Sequence, residues 1–206
     1  MAKTIDIFVI QPLDRCVSAD NKDNCEGYLA NILTYYKYNG AFTVQDTDDF
    51  VRQISAMVRK SDGAKIKTLV IGSHGRDGRD GYFRIGNDVI DAFSVTELHT
   101  LKTLAPYFSQ DADVFIMACK VGGNQRVLQK VSEALGGVRV HGYTANIITT
   151  EESVDDGTRD GGKHVVCMRS NCANTDQRLP ARKPSPAEIQ GAEAAQRRFE
   201  QTHGRF

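Results

Sequence analysis

Short apolar runs rich in β-branched residues alternate along this chain with segments whose apolar residues recur at helical spacing, and no other feature narrows the fold as much. Residues 5–10, 68–72, 113–118 and 138–143 read as buried strands, with 42–44 as a shorter one. Helical period occurs between them at about 26–38, where Leu29, Ile32, Leu33 and Tyr36 share a face, and at about 48–60, with Phe50, Val51, Ile54, Met57 and Val58. It returns at about 95–108 and at 124–135, the last closed by Gly136 and Gly137. Strands that are apolar on both faces and separated by helices belong in a parallel sheet covered on both sides. The spacing therefore predicts an α/β fold, a three-layer αβα sandwich around a mostly parallel sheet. Residues 82–85 and 89–90 flank Gly86 and Asn87 as a hairpin, and 164–168 reads as a last strand, antiparallel at the edge.

A chain of 206 residues has room for one sizeable core. Apolar content collapses after residue 169, and Pro180, Pro184 and Pro186 interrupt the remaining stretch. The expected organisation is one domain over 1–169 and a polar tail over 170–206, partly disordered or a solvated helix. The polar, acidic stretch 144–163 is expected to be a mobile loop. Twenty-six basic residues balance 26 acidic ones, so no net field draws in nucleic acid or an anionic membrane surface. The longest apolar runs fall far short of the ~20 residues that span a bilayer. Nothing at the N-terminus reads as an export signal. The five cysteines, at 16, 25, 119, 167 and 172, are odd in number and scattered, which predicts unbridged thiols in a reducing compartment. The cytoplasm is the natural location on that basis, although signal-independent export would leave the same sequence.

Ligands bind beyond the carboxyl ends of strands in an open α/β sheet. His74 and Cys119 both follow an apolar run directly, on strands separated by one crossover helix. Taken singly, a cysteine at a strand end is a common core residue and a histidine before glycine a common turn residue. As a pair they fit nucleophilic catalysis, because the thiolate is the reactive form and an imidazole can favour it or protonate a leaving group. Gly75 has no side chain to keep a substrate carbonyl from its N–H, and the N–H of Cys119 can supply a second oxyanion donor. His164, Cys167 and Cys172 lack a fourth ligand for structural zinc, and the stretch from Gly122 to Arg126 lacks the ending of a phosphate-binding loop, so neither metal nor cofactor is expected. His99 and His141 read as a solvated helix residue and a strand residue.

The run Thr68-Leu-Val-Ile-Gly-Ser-His74-Gly75, followed after a helix by Asp113-Val-Phe-Ile-Met-Ala118-Cys119, resembles the two signature blocks of the caspase-like (clan CD) cysteine peptidases. The hairpin at 82–90, the Cys119-Lys-Val-Gly122 turn and the run 161–166 look most like a bacterial caspase-like domain of unassigned function found in large secreted or surface proteins. The self-cleaving cysteine protease domains of RTX toxins are a second similar group. The likeness covers about residues 4–168. It implies a caspase-like fold and a thiol endopeptidase, with Cys119 as nucleophile, His74 as acid/base, Gly75 at the oxyanion and a protein or peptide as substrate. It also implies that Asp14 and Arg15, together with Tyr143, Thr144 and the residues up to Asn146, line the pocket for the residue before the cut. Arg15 would select acidic side chains there and Asp14 basic ones. The alternative is a catalytically silent member of the same fold that binds peptide without cutting it.

Overall fold

The computed structural model describes residues 3–10, 40–73, 75–76, 81–145, 148–149, 154–155 and 162–177. Its central sheet has seven strands. The apolar runs supply β1 (Thr4–Ile10), β2 (Gly40–Thr43), β3 (Lys65–Gly72), β7 (Phe108–Met117) and β8 (Arg139–Tyr143), joined in parallel in the order β8-β7-β3-β1-β2. A further strand, β11 (His164–Met168), pairs antiparallel with β8, as the sequence predicts. It is not the edge, however: β12 (Asn171–Asn174) folds back on it through a tight turn and continues the sheet past the expected domain end at 169. β12 escapes a search for apolar runs because it has only four residues, Asn-Cys-Ala-Asn, two of them polar and three exposed.

Three helices among the described residues pack on one face of this sheet. Helix α1 (Thr47–Lys60) buries Phe50, Ile54 and Val58, spaced by four, and is capped by the Asp46 carboxylate, which accepts from the Asp49 N–H at 2.7 Å. Helix α2 (Val95–Lys102) is shorter than the expected 95–108. Pro106 carries no N–H to continue the ladder, and a single 3-10 turn, Ala105–Tyr107, leads instead into β7 at Phe108. Helix α3 (Gln125–Ala134) buries Val127, Leu128 and Val131. These side chains and the inward residues Ile7, Leu69, Val114, Ile116 and Val140 form one core. The alternate residues Phe8, Val70, Phe115, Met117 and Tyr143 are buried on the opposite face. The helix expected at about 26–38 lies outside the described residues. The result is the α/β architecture with a mostly parallel sheet that the alternation predicts.

Two small ladders are separate from the seven-stranded sheet. β4 (Gly75–Arg76), β5 (Tyr82–Ile85) and β6 (Asp88–Ile90) form an antiparallel sheet that contains the expected hairpin. Within the stretch expected to be an unstructured loop, β9 (Ile148–Thr149) and β10 (Val154–Asp155) pair antiparallel, two residues a side; the other residues of 146–161 lie outside the described ones. Among the described residues no helix is long and apolar enough to cross a membrane.

Candidate active site

β3 and β7 end at the same level of the sheet. Gly72 is registered against Met117, and the Ser73 N–H donates to the Met117 carbonyl at 3.1 Å. The Ser73 hydroxyl accepts from the Arg84 N–H at 2.7 Å, which ties this strand end to β5 as well. His74 lies outside the described residues. The residue after it, Gly75, pairs with Phe83. A Cβ built on Gly75 would stand 2.6 Å from the Cys119 carbonyl oxygen and 2.8 Å from the Ala118 Cβ, so the backbone here lies directly on the Ala118–Cys119 peptide. A side chain would not fit that approach. Gly75 and Cys119, 44 positions apart in the sequence, are therefore in contact.

Cys119 is half-buried and is, among the described residues, the cysteine outside a disulfide. It sits at the start of a turn in which Lys120 takes the left-handed conformation, with φ at 58°. The Lys120 N–H donates to the Ala145 carbonyl at 2.9 Å. A 3-10 turn, Val121–Gly123, then leads into α3. A Cβ on Gly122 would come within 2.8 Å of the Gly142 and Tyr143 backbone, so this turn lies flat against β8. The thiol's backbone is thus held on one side by Gly75 and on the other by the end of β8.

Of the residues expected to line the pocket, Asp14 and Arg15 lie outside the described ones. Tyr143 is fully buried, and it meets the Cys119 turn through its backbone. Thr144 is half-buried and latched to Lys163: its N–H donates to the Lys163 carbonyl at 3.0 Å, and its hydroxyl accepts from the Lys163 N–H at 2.7 Å.

One polar group escapes sequence reasoning. On the face opposite α1–α3, Asp113, His141 and His164 are all buried and joined in a line across β7, β8 and β11. His141 Nε2 is 2.8 Å from the Asp113 carboxylate, and His141 Nδ1 is 3.1 Å from His164 Nε2. Arg139 grips Asp113 with two further bonds, at 2.6 and 2.8 Å. Burial pushes the Asp113 pKa up, but the bonds from Arg139 and His141 and their charges outweigh it and hold the carboxyl well below the usual range. The rings of Phe115 and His141 stack at 4.1 Å, and those of Tyr143 and His164 at 4.6 Å. The available signal was weak: Asp113 and His141 read as polar interruptions of apolar strands, and nothing in one dimension shows that they meet.

Cys167 and Cys172 correct the expectation of unbridged thiols. They are directly opposite in the β11–β12 ladder and form a disulfide, so they supply no metal ligands, and this part of the argument for a reducing compartment falls away. Scattered positions in the sequence hid the pair because a hairpin turn brings residues five apart face to face. Cys16 and Cys25 lie outside the described residues.

The model of a family described as a domain of unknown function (DUF4347) matches residues 32–147, which contain both His74 and Cys119. No curated protein matches the chain. Among solved structures, a secreted C11 cysteine protease from Bacteroides thetaiotaomicron, in complex with an irreversible peptide inhibitor, aligns at a TM-score of 0.40 with 10% sequence identity. The alignment covers 71% of this chain and 49% of that one, so the chain spans about half the length of that protein.

Proposed function

The chain belongs to the DUF4347 family, and we propose that it is a caspase-like cysteine endopeptidase acting on protein or peptide substrates. In this reading the Cys119 thiolate attacks a peptide carbonyl carbon, with the oxyanion accepting from the N–H groups of Gly75 and Cys119. The C–N bond then breaks and His74 gives its proton to the departing amine. Water attacks the resulting thioester, yielding its proton to His74, and the carboxylic product leaves as the thiol is regenerated. The observation that carries the reading is the packing of Gly75 on the Ala118–Cys119 peptide. It brings the residue that follows His74 against the backbone of the cysteine, although the two lie on different strands.

The test is alkylation of the purified protein at mildly acidic pH, with the modified cysteines identified by mass spectrometry, beside cleavage of a diverse peptide mixture. A catalytic Cys119 labels faster in the folded protein than in the urea-unfolded one, and His74→Ala slows it. Cys119→Ala abolishes peptide cleavage and leaves the fold intact. Labelling of Cys119 that is no faster than in the unfolded protein and is indifferent to His74→Ala would return the protein to the silent, peptide-binding alternative.

A further inference from the structure

Burying three polar side chains in one line costs free energy that three apolar ones of similar size would not, so stability alone does not account for Asp113, His141 and His164. What such a line adds is direction. The Asp113 carboxylate, gripped by Arg139, only accepts, so His141 Nε2 carries the hydrogen that faces it. In the state where each ring carries a single hydrogen, His141 Nδ1 is then an acceptor and His164 Nε2 donates to it across 3.1 Å. In that state donation runs one way, from His164 to His141 to Asp113, and it fixes the orientation of both rings.

The far end of this line leads to the candidate site. His164 stands opposite Tyr143 in the β8–β11 register, and their rings stack. Beyond Tyr143 the two bonds between Thr144 and Lys163 extend the same seam, and the next carbonyl, that of Ala145, holds the N–H of Lys120 beside Cys119. Each link is a direct contact, so a displaced His164 ring displaces Tyr143 and loosens the hold on Lys120. We propose that His141 and His164 are positioning residues that keep residues 143–145 in place against the turn carrying Cys119. The consequence for catalysis rests on the peptidase reading; the mechanical claim does not.

The experiment reads both separately. Nitrogen-15 NMR of the wild-type protein at about pH 8 should show both imidazoles as Nε2–H tautomers. A hydrogen on His141 Nδ1 instead would overturn the proposal, and this measurement needs no variant to fold. Amide hydrogen exchange of His164→Leu should be faster than wild type by about tenfold or more at Lys120 and Thr144, with β1 and β3 unchanged. His164→Gln, whose side-chain amide can replace the Nε2–H donor, should restore the protection. Unchanged exchange at Lys120 in a folded His164→Leu protein, or equal acceleration across the whole sheet, would sink the idea. On a cleaved peptide, His164→Leu should raise KM about tenfold while changing kcat less. A wild-type protein that cuts nothing would count against the peptidase reading and leave the tautomer and exchange results to decide this one.

Discussion

Gly75 has no room for a methyl group. A Cβ there would lie 2.6 Å from the Cys119 carbonyl oxygen, which is backbone and cannot swing aside, so Gly75→Ala must push the Cys119 peptide away. The expected outcome is a loss of roughly 1–3 kcal/mol in stability and, on the proposed peptidase reading, a fall in peptide cleavage of about 100-fold, read by denaturant unfolding and by initial rates. Asp113 makes a second test at this scale. Its folded pKa lies below its unfolded value, so its contribution to stability is complete above about pH 4 and is lost as pH falls below it. Asp113→Asn should cost roughly 1–3 kcal/mol at neutral pH and flatten the fall in Tm between about pH 4 and pH 2, as scanning calorimetry across that range would show. The strand ends next to Gly75 and Cys119 were legible in the sequence because an apolar run stops at each, where a parallel strand must end. The partners of Asp113 were not, because the same rule hides polar residues inside strands until their register is known.

The β11–β12 hairpin is the element where local chemistry matters most. Its disulfide closes a short loop, and the chain-entropy gain from such a loop is about 2 kcal/mol. Two further contacts hold the turn to α3: the Ser132 hydroxyl accepts from the Arg169 N–H at 2.8 Å, and the Gln129 side chain donates to the Ser170 carbonyl at 2.9 Å. Reduction should therefore lower stability by about 2 kcal/mol and fray β12 while the parallel strands keep their hydrogen-exchange protection. Thiol counting with and without reductant, beside urea melts, checks both halves of that statement. In helix α2 a local rule overrides the period instead. Its apolar spacing runs on to Phe108, but Pro106 ends the ladder and Phe108 serves the sheet.

Across the whole molecule, the last strand decides where the domain ends. A chain stopped after Arg169 loses β12 and Cys172, leaving β11 as an unpaired edge with a buried thiol at Cys167. It should unfold at lower denaturant concentration than one stopped after Gln177. The latter lacks only residues 178–206, which are too poor in large apolar side chains to stabilise the core much. Equal midpoints for the two chains would mean that β12 adds nothing. The sequence by itself determined the strand and helix alternation, the mostly parallel sheet it implies, and the two strand ends that precede His74 and Cys119. These are local properties, since period, β-branching and helix stops act over a few residues. Only the tertiary structure decided that Gly75 lies on the Cys119 peptide, that Cys167 bridges Cys172, and that Asp113, His141 and His164 form one buried line. Each of these depends on which residues of separate strands stand opposite one another, and register is set by the packing of the whole sheet rather than by any segment of it.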